Sequence, residues 1–436
     1  MKVVKVGLLG LGTVGGGTVN VLAKNSQDIS RRSACQIVVS SASTRDITRP
    51  RICETDGIRL TTSSEEIIND PEIQIVVELM GGEEPAKSLI LEAFAKGKHV
   101  VTANKALIAN HGNELFEAAA ENNVTLAYEA AIAGGIPIVK AMREGLSANS
   151  IEWLAGIING TGNFILTEMR DKGSAFADVL KEAQELGYAE ADPEYDVEGI
   201  DAAHKLCILA SLAFGMPLNF ERVYTEGISK ITPLDVTYAE ELGYRIKHLG
   251  VARKTKEGVE MRVHPTLIPE KRLIANVDGV MNAVVVKGNA VGPTLYYGAG
   301  AGAEATASAV IADIVDICRQ LGAPSENTVP ALGFSTSELQ ELPILSIDDI
   351  TTAFYLRLSV EDKPGVMAAI TKILADNGIS IEAVQQKEPA QHGGNAQVIL
   401  LTDNVVEKSL ITALAEIESL DSINQPAVRI RVESLL

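Results

Sequence analysis

Short apolar runs alternate with helix-like segments along the first third of the chain. The runs VVKVGLLG, CQIVVSSAS, IQIVVELMGG and KHVVTANK are separated by stretches such as the helix-like SLILEAFAKG. Apolar strands that alternate with helices are typical of a parallel sheet with helices on both faces. The pattern therefore predicts a doubly wound α/β domain of the Rossmann type over residues 1–130.

The pattern changes further along the chain. Strand-like runs IEWLAGIING, VEMRVHPTLI and NAVVVKG predict an α+β domain over residues 131–301. Residues 321–350 are rich in Pro, Ser and acidic residues and are expected to form a linker. The runs after the linker, FYLRLSVEDKPGVMAAITKILADNGISIEAV, NAQVILLTD and AVRIRVESL, fit a βαββαβ unit, which defines a third domain over residues 351–436.

The first apolar run leads directly into a glycine-rich loop, GLGTVG. Gly10 allows a tight turn, Gly12 lets the backbone approach a pyrophosphate, and Gly15 lets helix and strand pack closely. The helix that follows begins with Thr13 and Val14, and its N-terminus offers free N–H groups and a positive dipole end to phosphates. Because doubly wound sheets bind ligands at the carboxyl ends of their strands, the predicted cofactor contacts also include Gly81, Thr102, Ala103 and Lys105.

The end of the second strand bears on the choice between NAD and NADP. An acid at this strand tip would hold the ribose hydroxyls of NAD, but the strand runs out as ASTRD. The lack of an acid at the tip and the position of Arg45 favour a 2′-phosphate and hence NADP, whereas Asp46 keeps NAD open. Arg45 is equally consistent with a solvated loop charge.

Composition narrows the classes of function. The formal net charge of −19 disfavours partners such as nucleic acids and anionic membranes. The longest near-apolar run, LCILASLAFGMPL, is too short to span a bilayer. The four cysteines are widely spaced and form no CxxC pair, as expected in a reducing compartment. We therefore expect a cytoplasmic protein that acts on small molecules.

A dense acidic segment, AQELGYAEADPEYDVEGIDAAHK, spans residues 183–205. A calcium loop would need a glycine at its sixth position and a glutamate at its twelfth, and neither is present when the loop is counted from Asp192. The single histidine of the segment does not give zinc spacing. A solvated acidic face suits Glu194 and Glu198 better than a metal site does.

Asp201 and Lys205 differ from those exposed acids, because they lie four residues apart and share one face of a helix. The helix continues as LCILASLAFG, which is apolar on every side and indicates burial. A lysine and a carboxylate buried together are expected to pair, either as a structural ion pair or as a proton-transfer site. In the second case the lysine would take a hydroxyl proton as a hydride leaves the same carbon, while neighbouring carboxylates anchor an amino group.

The segment Ala183–Lys205 follows the pattern A-x3-G-Y-A-E-A-D-P-x2-D-V-x-G-x-D-x3-K, which resembles the signature of homoserine dehydrogenases. The motifs GLGTVG, GKHVVTANKAL, YEAAIAGGIPI, NGTGNFIL and YYGAGAGAEATASAVIADI fall in the order of that family. The resemblance covers nearly the whole chain. It implies an enzyme that interconverts L-homoserine and L-aspartate 4-semialdehyde with NAD or NADP and runs physiologically toward homoserine.

The resemblance also implies roles for single residues. Lys205 would donate and accept the proton, with Lys105 as a second lysine between nicotinamide and substrate and Asp201 beside them. The implied substrate contacts are Glu190, Asp196, Asp201, Gly187, Gly160 and Thr161. Residues 302–320 would form a helix that returns to the nucleotide domain, with Gly302 as a cofactor contact. A sodium ion near the cofactor would be held by Glu129 and by the backbone oxygens of Ile132, Gly134 and Ile136.

The βαββαβ unit resembles an ACT domain, a small module that binds amino acids. The resemblance implies feedback inhibition, with threonine as the expected effector, and a homodimer or homotetramer; a bare dimerisation module is the alternative. A chain truncated before residue 350 would then keep homoserine oxidation and lose its sensitivity to threonine.

Three other functions are consistent with the nucleotide-binding pattern. A non-catalytic nucleotide or amino-acid sensor would not need Lys205 and its carboxylates, and a hydroxy-acid dehydrogenase of the Rossmann type would share much of the fold. An acylating semialdehyde dehydrogenase would need a cysteine in an activating loop. The sequence context of the cysteines does not predict activation; they are Cys35, Cys53, Cys207 and Cys318.

Overall fold

The structure, a computed structural model, describes residues 1–321, 329–387 and 395–435. The chain divides into two compact units, and both are assembled from separate stretches of sequence. The first unit comprises Met1–Gly160, Asp201–Val223 and Val280–Leu342, and the second comprises Thr161–Ile200, Tyr224–Gly279 and Pro343–Leu436. Among the described residues, every helix is too short or too polar to cross a membrane.

The first unit begins with alternating strands and helices. They are β1 (Lys2–Leu9), α1 (Thr13–Lys24), α2 (Ser26–Ser33), β2 (Cys35–Ser43), β3 (Arg59–Thr61), α3 (Ser64–Ile68), β4 (Ile73–Glu78), α4 (Ala86–Ala95), β5 (His99–Thr102), α5 (Lys105–Glu121) and β6 (Leu126–Ala127). The strands form a parallel sheet of six in the order β3-β2-β1-β4-β5-β6. The predicted doubly wound nucleotide-binding fold is confirmed, because the strand order reverses beside β1 and places a crevice there.

The middle of the chain contributes to both units. Its elements are α6 (Ile138–Lys140), β7 (Ile151–Ile157), α7 (Gly160–Lys172), α8 (Phe176–Glu185), α9 (Glu194–Val197), α10 (Ile200–Phe214), β8 (Tyr224–Thr225), α11 (Pro233–Glu241), β9 (Tyr244–Lys254), β10 (Val259–Pro269), β11 (Met281–Gly288), β12 (Gly292–Ala299) and α12 (Ala303–Gln320). Within the first unit, β11 pairs antiparallel with both β7 and β12. Helix α12 packs on the parallel sheet, where Val310 and Ile314 join Val6 and Leu8 in one buried cluster.

The C-terminal module lies within the second unit. Its elements are β13 (Thr351–Glu361), α13 (Val366–Asp376), β14 (Ile381–Lys387), β15 (Asn395–Thr402), β16 (Val405–Val406), α14 (Glu407–Glu418) and β17 (Val428–Val432). An antiparallel sheet forms in the order β17-β13-β15-β14. Its edge strand β17 also pairs parallel with β10, which pairs with β9, so the sheet of the module continues into the rest of the second unit.

Both faces of this module sheet carry buried apolar side chains. On one face, Phe354, Leu356 and Leu358 pack with residues of α13 and α14. The other face supplies Tyr355 and Ile399 to a cluster that also contains residues of α7, α8 and α11. The module therefore shares its hydrophobic core with helices that lie far from it in the sequence.

The segment predicted as a linker makes hydrogen bonds along its described part; residues 322–328 lie outside the described residues. In the first unit, the hydroxyl of Tyr128 donates to the carbonyl oxygen of Ala331 at 2.6 Å. In the second unit, the N–H of Val259 donates to the carbonyl oxygen of Pro343 at 2.7 Å. These bonds fix the course of the segment beside each unit.

Candidate active site

A buried carboxylate joins two lysines in the first unit. Asp201 lies in the first turn of α10 and is 5% exposed. Its Oδ2 accepts a hydrogen bond from Nζ of Lys205, one helical turn later, at 2.6 Å. Its Oδ1 lies 3.2 Å from Nζ of Lys105, the first residue of α5. The structure thus brings together the three residues predicted to be catalytic.

The exit of strand β7 completes this cluster. The carbonyl oxygen of Ile158 accepts from Nζ of Lys205 at 2.7 Å, and Nδ2 of Asn159 donates to Oδ2 of Asp201 at 2.9 Å. Gly160 follows, and a Cβ there would lie 2.9 Å from the carbonyl oxygen of Val280. A glycine is therefore required for the chain to turn so close to its neighbour, and its contact with the substrate stays a prediction.

The electrostatics of the cluster keep the carboxylate ionised. Burial alone would raise the pKa of Asp201, but the two lysines and Asn159 hold it far below its ordinary value. Three residues after Asp201, burial lowers the pKa of His204 to about 4. The His204 ring stacks on Phe220 with the ring centroids 4.0 Å apart. His204 is therefore a neutral ring at pH 7, and the cationic groups near Asp201 are the lysines.

A second buried acid, Glu78 at the end of β4, orders the loops beside Lys105. Its Oε2 accepts from the hydroxyl of Thr102 at 2.6 Å, and its Oε1 accepts from the N–H groups of Met80 and Gly81 at 2.7 and 3.2 Å. The sequence predicted Thr102 and Gly81 as cofactor contacts but missed the acid that connects them. An acidic residue at the tip of the apolar run IQIVVE was the available signal.

A cavity of about 630 Å³ opens at the carboxyl ends of β1 and β2. Gly10 lines it with φ of +106°, and a Cβ there would lie 2.7 Å from the carbonyl oxygen of Leu79. A Cβ on Gly12 would meet no atom within 4 Å, so the backbone is open to a close approach there. These features fit a pyrophosphate cradle. The other predicted contacts Thr13, Val14, Gly15, Gly81, Thr102, Ala103, Lys105 and Gly302 lie outside the described lining of this cavity.

Three arginines line the same cavity, namely Arg45, Arg49 and Arg51. Arg51 is already held, since it donates to the carbonyl oxygen of Leu11 at 3.1 Å and to the hydroxyl of Thr44 at 2.7 Å. Asp46 is turned toward its own loop, where its Oδ1 accepts from the N–H and the hydroxyl of Thr48. The sequence predicted Arg45 alone and missed the other two arginines.

The predicted cation ligand Glu129 is buried, and both of its carboxylate oxygens accept backbone N–H groups. Oε1 accepts from Val139 at 2.9 Å and Oε2 from Lys140 at 2.8 Å, at the start of α6. Burial raises the pKa of Glu129. Its own N–H donates to Asp313, whose pKa burial and Glu129 together raise to about 7.

The backbone of the same loop bends sharply at Gly134. Gly134 has φ of +48°, and a Cβ there would lie 2.5 Å from the carbonyl oxygen of Gly300. The carbonyl oxygen of Ile136 accepts from the N–H of Ile138 at 2.8 Å. Among the described residues there is no cluster of three or more His, Cys, Asp or Glu that suits a metal. The role of Glu129 and of the backbone oxygens of Ile132, Gly134 and Ile136 as cation ligands stays a prediction.

The other predicted substrate residues lie in the second unit. The hydroxyl of Thr161 donates to the carbonyl oxygen of Tyr188 at 2.7 Å, and Gly187 has φ of +76° at the turn before it. Nε2 of Gln184 donates to the carbonyl oxygen of Glu190 at 3.0 Å. Thr161 therefore secures the turn that carries Glu190, and Asp196 follows on α9. The sequence missed Gln184, since one amide in an acidic helix gives no pattern.

Buried ion pairs attach the C-terminal module within the second unit. Arg357 of β13 donates from Nε to Oδ1 of Asp235 at 2.6 Å, and Asp235 also takes part in the N-terminal capping box of α11. Arg431 of β17 donates to Oε2 of Glu226 at 2.7 Å and to Oε2 of Glu407 at 2.8 Å. The module is held by directional bonds as well as by apolar packing.

A doubly wound nucleotide-binding domain and a buried aspartate that contacts two lysines indicate an NAD(P)-dependent oxidoreductase. Comparison with known proteins identifies the family within this class. The family model "Homoserine dehydrogenase, NAD binding domain" matches residues 10–129, "Homoserine dehydrogenase" matches residues 137–315, and "ACT domain" matches residues 354–421.

Relatives and solved structures agree with these matches. The homoserine dehydrogenases of Pseudomonas aeruginosa and Neisseria gonorrhoeae are 59% and 54% identical over 436 residues, which is 100% of this chain and of each relative. The crystal structure of a homoserine dehydrogenase from Thiobacillus denitrificans superposes with a TM-score of 0.94 at 59% identity, covering 100% of this chain and 99% of that one. A hyperthermophilic archaeal homoserine dehydrogenase in complex with NADPH gives a TM-score of 0.60 at 26% identity, covering 74% and 99%.

The chain belongs to the homoserine dehydrogenase family. It is an oxidoreductase that interconverts L-homoserine and L-aspartate 4-semialdehyde with a nicotinamide nucleotide, and it carries an ACT domain. The alternatives of a non-catalytic sensor and of an acylating dehydrogenase are thereby excluded.

Proposed function

We propose that Lys205 exchanges the proton with the oxygen of the substrate. The supporting observation is that its Nζ is fixed by two acceptors, Oδ2 of Asp201 and the carbonyl oxygen of Ile158. The bound nicotinamide nucleotide supplies or accepts the hydride. In reduction, the ammonium of Lys205 donates a proton to the aldehyde oxygen as negative charge develops there; in oxidation, the neutral amine takes that proton back.

Lys105 has a second role in this proposal. Its Nζ lies beside the opposite oxygen of Asp201, so one carboxylate holds both ammonium groups and limits their mutual repulsion. Lys105 then stabilises the oxyanion electrostatically while Lys205 moves the proton. For the second unit, the resemblance supports Glu190 and Asp196 as carboxylates for the substrate ammonium, with Gly187 and Thr161 in the turn that presents them.

The arginines of the cofactor cavity support NADP as the preferred nucleotide. Arg45 and Arg49 bring two cations to the wall of the cavity, and Arg51 holds the same loop through the hydroxyl of Thr44. Asp46 is engaged by Thr48 and does not take the position of an acid that binds ribose. A 2′-phosphate would find charge-assisted donors there.

A monovalent cation at Glu129 is proposed from the resemblance, with Ile132, Gly134 and Ile136 as backbone ligands. The buried carboxylate and the bent loop fit a small cation, although Glu129 already caps the start of α6 through two N–H groups. The sodium ion would then act on the shape of the loop.

The ACT domain supports regulation by an amino acid, and threonine is the proposed effector because it is an end product of the pathway from homoserine. Homodimers or homotetramers are proposed on the same resemblance, and a cytoplasmic location is proposed from the composition of the chain. Inhibition requires that the effector bind one arrangement of the enzyme better than another. Homoserine oxidation followed by absorbance of the reduced nucleotide, with NADP, NAD and added threonine, tests the cofactor preference and the effect of threonine.

The role of Lys205 has a sharper test. Lys205→Met should lower kcat for homoserine oxidation by roughly 100- to 10,000-fold, as expected for loss of an acid–base group, and should keep NADPH binding. Lys181→Met is the matched control, because Lys181 lies on α8 with its side chain 76% exposed. A kcat within a few-fold of the unmodified enzyme would show that Lys205 does not carry the proton.

A further inference from the structure

Three consecutive residues follow strand β7, and two of them bind the proton-transfer cluster of Lys205 and Asp201. Ile158 gives its carbonyl oxygen to Lys205, Asn159 gives its side-chain amide to Asp201, and Gly160 has no room for a side chain. The roles proposed above for the lysines and Asp201 leave Asn159 without a function. Its side chain is nevertheless almost completely buried, with 6% exposure.

Oδ2 of Asp201 accepts from two donors at once. Nζ of Lys205 lies 2.6 Å away and Nδ2 of Asn159 lies 2.9 Å away. The amide and the ammonium therefore share one oxygen, while the other oxygen faces Lys105. A rotation of the carboxylate would break the bond to Asn159, so the amide fixes the plane in which Asp201 meets both lysines.

The donor on Asn159 is neutral, and this matters for the charge of the cluster. It satisfies a lone pair of the buried carboxylate without adding a third cation, and it lowers the pKa of Asp201 together with the lysines. A hydrogen bond to the oxygen also draws electron density away from the side facing Lys205. The amide thus weakens the hold of Asp201 on the ammonium form of Lys205.

We propose that Asn159 is a positioning residue, which orients Asp201 and thereby sets both the place of Lys205 and the pH at which Lys205 loses its proton. This inference rests on the proton-transfer role proposed for Lys205. Two variants separate geometry from charge. Asn159→Ala removes the donor, and Asn159→Asp replaces it with a carboxylate beside Asp201.

The readout is the pH dependence of kcat for homoserine oxidation, which rises with pH as Lys205 becomes the neutral acceptor. A second carboxylate stabilises the ammonium, so the rising limb of the pH profile should move to higher pH by about one unit in Asn159→Asp. Asn159→Ala should lower kcat roughly 10- to 100-fold, as expected for a lost hydrogen bond to a charged group. Its limb should move slightly in the same direction, and NADPH binding should stay unchanged.

Asn113→Asp is the matched control for the change from amide to carboxylate. Asn113 lies on α5, where it exchanges hydrogen bonds with the backbone of Leu218, and it should leave the limb where it is. If Asn159→Asp does not fold, the limb and kcat of Asn159→Ala decide. An unmoved limb in the Asn159 variants, or a loss confined to KM, would overturn the proposal.

The same profile measured on Lys205→Met separates this inference from the function on which it rests. Loss of the limb in Lys205→Met together with an unmoved limb in both Asn159 variants would leave Lys205 as the proton carrier and refute the role of Asn159. A normal limb in Lys205→Met would refute both.

Discussion

Removal of the C-terminal module is expected to unfold the second unit rather than to yield an active enzyme that no longer responds to threonine. From the sequence, the module looked like a separable domain behind a linker. In the structure its sheet covers α7, α8 and α11, and β17 extends the sheet formed by β9 and β10. A chain that ends before residue 350 therefore loses part of its own core.

The magnitude follows from the residues lost. Four side chains of the module lie within the shared cluster, each at most 6% exposed; they are Tyr355, Ile399, Leu401 and Ile430. Burial of one such side chain is worth about 1.5–3 kcal/mol, so the four together contribute roughly 6–12 kcal/mol. That is comparable to the whole stability of a typical domain, about 5–15 kcal/mol. The ion pair between Arg357 and Asp235 is lost in addition.

The assay compares the full chain with a chain that ends at residue 349. Urea titration followed by circular dichroism should show loss of the second unit, and homoserine oxidation should be absent. NADPH should still bind to the first unit, as measured by the change in fluorescence on binding. Leu358→Ala is a milder control, since Leu358 packs on the opposite face of the sheet, against the module's own helices. A truncated enzyme with near-normal kcat and an unchanged unfolding midpoint would refute the shared-core argument.

Two further predictions concern the cofactor and acid stability. Arg45→Ala should weaken the binding of NADP by about 1–3 kcal/mol and that of NAD much less, because only NADP offers a 2′-phosphate. Arg31→Ala is the control, since Arg31 is an exposed arginine on α2. Equal losses of affinity for both nucleotides would contradict the role of Arg45. Burial lowers the pKa of His204 and of His248 to about 4, so their contribution to stability is present above the unfolded pKa of 6.5 and is lost as the pH falls toward 4. Protonation of each histidine should lower the free energy of unfolding by roughly 3 kcal/mol over that range. Urea titrations at several pH values should show that the free energy of unfolding depends less steeply on pH in His248→Gln.

Periodic and local signals predicted the fold and the pairing of Asp201 with Lys205. The glycine loop, the apolar strands and the four-residue spacing of Asp201 and Lys205 each depend on neighbours in sequence, so they were visible without a structure. The bonds from Glu78 to Thr102 and from Asn159 to Asp201 join residues 24 and 42 positions apart. Such contacts depend on which strand ends meet, and a single polar residue at a strand end does not predict its partner.

The residues that fix Lys205 and the residues that contribute to the core of the module belong to different units, and this affects how regulation can act on the enzyme. The hydrogen bonds that fix Lys205 and Asp201 are made within the first unit, by Ile158 and Asn159. The core shared with the module includes Ala189, the residue before Glu190, and α8, whose Gln184 holds the carbonyl oxygen of Glu190. An effector on the module changes the enzyme only through groups whose energies differ between its two states. Because Ala189 belongs to the core cluster that the module completes, we expect regulation to act on substrate binding and to leave the proton carrier itself in place.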